Sequence, residues 1–256
     1  MSQSPPAPGL PAAVAELPRV LRLLWGYEET GRRGPKPGLT LTEIAETGVR
    51  IADAEGLDAC SMSRVAKDLG VSAMALYRYV DAKSDLFLLM LDNAYGSPPP
   101  VLWPPGADWR ERVTVWASRN REGLLRHPWL LSVPISGPPI TPNTLAWMDL
   151  GLAALADLEL SQQEKLSTLL LVEVYVRGQV QLARQGAVDD NGGYARRVRA
   201  VTEGRGLAHV REAVLSGALE DGDDDWTEDE LGFALETVLD GIESRIRRRR
   251  RYAKRR

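Results

Sequence analysis

Few side chains in this 256-residue chain have the type and spacing that bond-making chemistry demands. The only two histidines, His127 and His209, stand far apart and in no metal-ligand spacing. A single cysteine, Cys60, excludes an intramolecular disulfide and any cysteine-based metal cluster within one chain. No phosphate-cradling glycine loop and no nucleophile motif is present. The acidic run "EDGDDDWTEDE", Glu220 to Glu230, lacks the ordered spacing of a calcium loop and reads as a solvated linker. Catalytic residues, a metal and a cofactor are therefore not expected. What remains is a group of donors in "MSRVAKDLGVSAMALYRYV", Met62 to Val80. Arg78 can make paired hydrogen bonds and Tyr77 can donate one from its hydroxyl, and both are placed to point outward from the stretch. Ser72, just ahead of an apolar helical run, can cap a helix so that its free N–H groups and positive dipole end face a phosphate, and Lys83 adds a point charge beyond it. This is chemistry for holding a nucleic acid.

Such donors work only if a rigid pair of helices aims them. The stretch carries apolar residues at helical spacing on both sides of Gly70-Val71-Ser72, and neither half is long enough to be stable alone. In a helix-turn-helix the first helix braces the second, and the turn commonly holds a glycine, which is the place of Gly70. Val65, Ala66, Leu69, Val71 and Leu76 supply contacts between the two, leaving Ala73, Met74, Tyr77 and Arg78 to point outward. The competing reading is two helices of an ordinary bundle, with both tyrosines half-buried and Arg78 solvated. Around the pair, "TLTE" from Thr40 has capping-box form and opens a helix ending near Gly56, and Leu86, Leu89, Met90 and Asn93 mark a further helix before "GSPPP".

The region Thr40 to Tyr95, centred on "SMSRVAKDLGVSAMALYRYVDAKSDLF", resembles the N-terminal domain of the TetR family of bacterial transcriptional regulators. That resemblance implies an all-α protein with a three-helix helix-turn-helix domain at residues 39–96. It places DNA-contacting positions at Met62, Ser63, Ala73, Met74, Ala75, Tyr77, Arg78, Tyr79 and Lys83. Ala73, Met74 and Ala75 have no side-chain donors. Base reading should therefore lean on Arg78, Tyr77, Ser63 and apolar contact with thymine methyls, with phosphates left to Tyr79, Lys83 and backbone amides. Between Gly31 and Gly96 there are eight Lys and Arg against nine Asp and Glu, so the domain has no basic excess of its own. The arm "GRRGPKPG", with Arg32, Arg33 and Lys36, sits at the end of a Pro- and Gly-rich extension, residues 1–38, expected to be mostly disordered apart from a short helix in "LPRVLRLLWGY". It can reach an adjacent minor groove or serve as a solvated linker.

Beyond the break every strong pattern is again helical: Trp109 to Arg126, Asn143 to Leu158, Ser161 to about Gln185 and Thr227 to about Arg249, with one short helix at Gly206 to Leu219. "SQQE" at Ser161 and "TEDE" at Thr227 have capping-box form, and no hairpin signal or internal repeat appears. The pieces "LLRHPWLL", "SGPPITPN" and "YVRGQ" make residues 101–250 similar to the effector-binding and dimerisation domain of the tetracycline-repressor-like branch, which implies a homodimer. The helix from Ser161 is apolar nearly all round, and Leu231, Leu235, Val238 and Ile242 form a stripe on the last helix where a partner would pack. Five of seven Trp lie between Trp103 and Trp147, while the chain has only two Phe, so tryptophan serves either a ligand pocket or simply the core. Trp116, His127, Trp129, Trp147, Arg177 and Gln181 are the candidate pocket residues. The chain carries a formal charge of −3, and its last twelve residues alone hold nine positive charges, leaving −12 on the rest, so a basic tail at 251–256 follows an acidic body. No segment approaches the ~20 apolar residues of a membrane span, and a cytoplasmic protein is expected. The expectation is a ligand-responsive transcriptional repressor bound to a palindromic operator as a homodimer and released from it by a small apolar or aromatic effector; the alternative is a helical interaction or small-molecule-binding protein that kept the fold without sequence-specific DNA binding.

Overall fold

Proline opens both helices of the N-terminal segment. Pro11 and Pro18, at φ −55° and −49°, precede α1 (Ala12–Ala15) and α2 (Arg19–Leu24), where a missing N–H costs no helical bond. The computed structural model describes residues 11–28, 39–100, 103–134, 140–186, 193–219 and 226–253. The arm at Arg32, Arg33 and Lys36 lies outside them. Within the extension expected to be mostly disordered, residues 11–28 are folded: Val20, Leu21 and Leu23 of α2 are buried, and α2 packs against α6.

The chain divides into two units, Met1–Leu170 and Leu171–Arg256. In the first, α3 (Leu41–Glu55) starts at the capping box expected of it. Thr40 Oγ1 accepts from the Glu43 N–H at 3.1 Å, and Glu43 Oε2 accepts from the Thr40 N–H at 2.7 Å. A 3₁₀ turn leads into α4 (Met62–Asp68), capped by Ser61, and then α5 (Ala73–Leu76), capped by Ser72. α6 (Lys83–Tyr95) begins where Asp85 reaches back to the N–H groups of Asp81 and Ala82. Gly48 lets α3 and α6 approach closely, since a β-carbon there would lie 2.7 Å from Met90 Cγ and Sδ. α7 (Trp109–Arg126) spans the residues its pattern predicts, with Asp108 and Glu111 forming its capping box.

A 3₁₀ turn, Pro128–Leu131, follows α7, and α8 (Pro142–Ala154) stops four residues short of the expected Leu158. Lys165 accounts for part of that ending: it is buried, and its ammonium donates to the Ala156 carbonyl, which a continuing helix would have occupied. α9 (Gln162–Gly186) starts at the Ser161/Glu164 box and runs into the second unit.

The second unit continues with α10 (Gly193–Thr202), α11 (Ala208–Leu215) and α12 (Trp226–Ala253). α10 was not expected in the glycine-rich stretch, although Ala195, Val198 and Thr202 carry its helical spacing and Ala195 and Thr202 are buried. α12 starts one residue ahead of Thr227, so that threonine lies inside the first turn rather than at the cap. The same helix continues through residues 251–253, so the basic tail is not separate from it at that point. No strand occurs among the described residues.

Candidate nucleic-acid interface and the helices that hold it

The turn between α4 and α5 is closed by backbone hydrogen bonds that require a left-handed residue. Gly70, at φ +68°, stands just past the end of α4; its N–H donates to the Lys67 carbonyl at 3.1 Å, and the Val71 N–H donates to Ala66 at 2.9 Å. This is a Schellman ending, and glycine adopts it without steric cost. Ser72 then caps α5, its hydroxyl accepting from the Ala75 N–H at 3.2 Å. Val65, Ala66, Leu76 and Val80 are fully buried beneath the pair, while Leu69 and Val71 are half-buried at its margin.

α5 holds only four residues before the chain tightens into i to i+3 bonds at Arg78 and Tyr79. Met74 is 76% exposed and Tyr77 46%, with Arg78, Ser63 and Lys83 exposed beside them and Ala73, Ala75 and Tyr79 half-buried. Met62 is a correction. It is 7% exposed and shares the inward face of α4 with Val65 and Ala66, three and four residues on, so its side chain is core rather than contact. That spacing was visible in the sequence. Lys83 keeps its ammonium at the surface, 5.1 Å over the Phe87 ring.

Charges around the pair are sorted unequally. Arg64 donates to both Glu55 oxygens at 2.8 Å and to Asp68 at 3.1 Å, and Arg50 lies 3.4 Å from Asp68. The Arg64 guanidinium, against a smaller opposing effect of burial, holds the Asp68 carboxyl below its usual value. Arg78 forms no side-chain ion pair among the described residues, which leaves its guanidinium available to a ligand.

Two sets of contacts tie this head to the helices that follow. Asp53 on α3 accepts from Trp129 Nε1 at 2.7 Å and from His127 Nδ1 at 2.8 Å through the same oxygen. Asp92 near the end of α6 is buried, and it accepts from the backbone N–H of Asn143 at 2.7 Å and from its side-chain amide at 3.1 Å. Trp147 Nε1 donates to the carbonyls of Tyr95 and Gly96, closing the end of α6. None of these acidic partners was singled out from the sequence. Each joins residues 51 to 76 positions apart, and neither partner shows a local pattern that requires the other.

A half-open cavity of about 330 Å³ lies among α6, α7 and α8 of the first unit, and its lining includes Tyr95, Arg119, Asn120, Leu124, Arg126 and Trp147. Of the six pocket candidates only Trp147 lines it. Trp116 is buried, donates to the Trp147 carbonyl at 2.9 Å and packs where a Gly151 side chain would be, so it is core. His127 and Trp129 serve Asp53. Arg177 and Gln181 belong to the second unit, where Arg177 lies 3.9 Å from Glu173 and Gln181 is exposed. The partner stripe also needs correction. Leu235 and Ile242 are 4% and 6% exposed within the single chain and Val238 is half-buried, so they are already packed; the Leu231 side chain lies outside the described residues. In the second unit the exposed apolar residues include Leu171, Val174 and Leu182 on α9 and Phe233 on α12. Among the described residues no group of three or more His, Cys, Asp or Glu could hold a metal, and no helix is long and apolar enough to cross a membrane.

Among the described residues, helices without strands and a braced pair displaying an arginine with no ion-pair partner define a helix-turn-helix protein. Residues 44–90 match the family described as bacterial regulatory proteins, tetR family, and residues 103–246 match the tetracyclin repressor-like C-terminal domain. The chain is 36% identical over 246 residues to the HTH-type transcriptional repressor DrrR1 of Streptomyces coeruleorubidus, covering 92% of this chain and 88% of the relative. In fold it is similar to apo ActR from Streptomyces coelicolor, with a TM-score of 0.68 at 23% identity, covering 80% of this chain and 95% of that one. ActR in complex with actinorhodin gives a TM-score of 0.67 at 24% identity, covering 80% and 97%. The chain belongs to the TetR family of transcriptional regulators.

Proposed function

We propose that the chain represses transcription as a homodimer on a palindromic operator and is released by a small aromatic effector. The observation that carries this reading is the exposed Met74, Tyr77 and Arg78 face on a helix pair whose other side is fully buried. Arg78, Tyr77 and Ser63 read base edges; Met74 with Ala73 and Ala75 packs on thymine methyls. Tyr79 and Lys83 hold phosphates, and Arg32, Arg33 and Lys36 follow the minor groove. The effector sits in the cavity beside Tyr95 and Trp147, whose rings suit an aromatic molecule; Arg126 also lines it, while Arg119 is paired with Glu122 at 2.8 Å. That a protein of this fold, ActR, has been solved in complex with actinorhodin supports a bound effector. Because Asp92 and Trp147 join α6 to α8, a molecule in the cavity bears on the helix that closes the DNA-reading head; it shifts the equilibrium only as far as it prefers the released state.

Selection of duplexes from a randomised pool by the full chain, followed by footprinting of the enriched sequence, tests the reading. Two inverted half-sites with centres roughly one helical turn, about 34 Å, or a multiple of it apart are expected. Absence of any enriched sequence would favour a helical interaction or small-molecule-binding protein that kept the fold without specific DNA recognition.

A further inference from the structure

The residues ahead of the matched helix-turn-helix reach its reading end. Arg19, at the first position of α2, donates from Nη1 to the backbone carbonyl of Arg78 at 2.7 Å and from Nε to Glu28 at 2.9 Å, and it lies 4.0 Å from Asp81. Arg22 donates to the other Glu28 oxygen at 3.1 Å and to the Leu17 carbonyl, so Glu28 closes residues 17–28 on themselves. Burial alone would raise the Glu28 carboxyl, but the two guanidiniums outweigh it and hold it below its usual value. At the other end of the segment Trp25 Nε1 donates to the Ile140 carbonyl at 2.8 Å, just before α8. Val20, Leu21 and Leu23 bury the segment's apolar side.

The Arg78 carbonyl has Arg19 as its protein donor, in place of water. It lies past the end of α5, and no backbone N–H among the described residues bonds it. Carbonyls at a helix C-terminus carry partial negative charge and are satisfied by cations from outside when the helix does not continue. A helix of four residues also does little to hold its own last turn in one direction. Tyr77, Arg78 and Tyr79, three of the assigned contacts, sit on that turn.

We propose that residues 17–28 are a clasp belonging to the DNA-reading head, and that Arg19 is a positioning residue for base recognition, acting through the Arg78 carbonyl without touching DNA. The proposal rests on Arg78 and Tyr77 reading bases, so Arg78→Ala is run beside it.

The test uses the full chain, a duplex selected by the wild-type protein and the set of its single-base variants, across a salt series. Arg19→Ala is expected to weaken binding to the selected duplex roughly five- to twentyfold and to flatten preference at the positions Arg78→Ala also affects, with the salt slope unchanged. Arg19→Lys, which still reaches one acceptor, recovers part of the loss, and Glu28→Gln shifts preference at the same positions by less. A salt slope reduced by about one with base preference intact would make Arg19 a phosphate contact and overturn the proposal. So would wild-type affinity and preference in a folded Arg19→Ala protein. If Arg19→Ala does not fold, Glu28→Gln decides, and unchanged preference in it overturns the clasp. If Arg78→Ala itself leaves preference intact, the base-reading assignment has failed and takes the clasp with it.

Discussion

Arg64 and Arg78 show how neighbours decide what a side chain can do. Arg64 is held by Glu55 and Asp68 and braces α4 against α3, whereas Arg78 is exposed with no carboxylate partner among the described residues. Arg78→Ala is expected to cost about 1–3 kcal/mol on the operator and to relax preference at one position in each half-site, as read by binding to single-base variants. A loss uniform across all sequences would make it a phosphate contact. Asp53 has a different task. One of its oxygens serves both His127 and Trp129, and Trp129 is 4% exposed, so removing the acceptor leaves a buried indole N–H without its partner. Asp53→Ala should lower folding stability by about 1–3 kcal/mol in denaturant melts, and Asp53→Asn, which keeps an acceptor, by less.

The DNA-reading head depends on how closely α3 and α6 pack. A methyl at Gly48 would meet Met90, which is fully buried and has little room to withdraw. Gly48→Ala should therefore destabilise by about 1–3 kcal/mol, and combining it with Met90→Ala should cost less than the sum of the two singles, since the second change removes the clash. Additive losses in thermal melts would show that the helices part without strain. The clasp around α2 carries a pH signature. Because Glu28 is held below the ordinary value of 4.5, the folded chain takes up its proton less readily than the unfolded chain. Its contribution is thus fully present above the unfolded value and is lost as pH falls through the lowered one. The stability gap between wild type and Glu28→Gln should be constant near neutrality and close as the medium is acidified below 4.5; a gap that widens in acid would reverse the assignment.

At the scale of the whole molecule, the proposed homodimer would have to set two reading heads at a spacing that matches successive major grooves, which requires a rigid contact between subunits. Burial now indicates where that contact can form. Leu171 and Val174 are 52% and 59% exposed on α9, while Leu235 is 4% exposed. Leu171→Glu with Val174→Glu should leave each chain folded but monomeric in sedimentation and weak on a palindromic duplex, because the charges fall on a face that only a partner would bury. Leu235→Glu should instead unfold the chain, by placing an unpaired charge in its own core. A dimer that survives the double substitution would put the interface elsewhere.

The chain's sequence determined those features whose causes lie within a few residues of one another. Thr40 with Glu43, Ser161 with Glu164, and Gly70 between two short apolar patterns mark helix ends because capping and turn bonds span three to five residues. The motif around Gly70 and Ser72 also carried the family. Met62 is local in the same sense: its spacing to Val65 and Ala66 places it inward, although the family resemblance puts a contact there. Only the tertiary structure decided that Trp116 is core, that His127 and Trp129 serve Asp53, that Leu235 is buried in its own chain, and that Arg19 ends on the Arg78 carbonyl. For Trp116, His127, Trp129 and Arg19 the partner stands tens of residues away. A side chain's pattern along the chain reports which face of a helix it occupies, but which surface meets that face depends on how the helices pack.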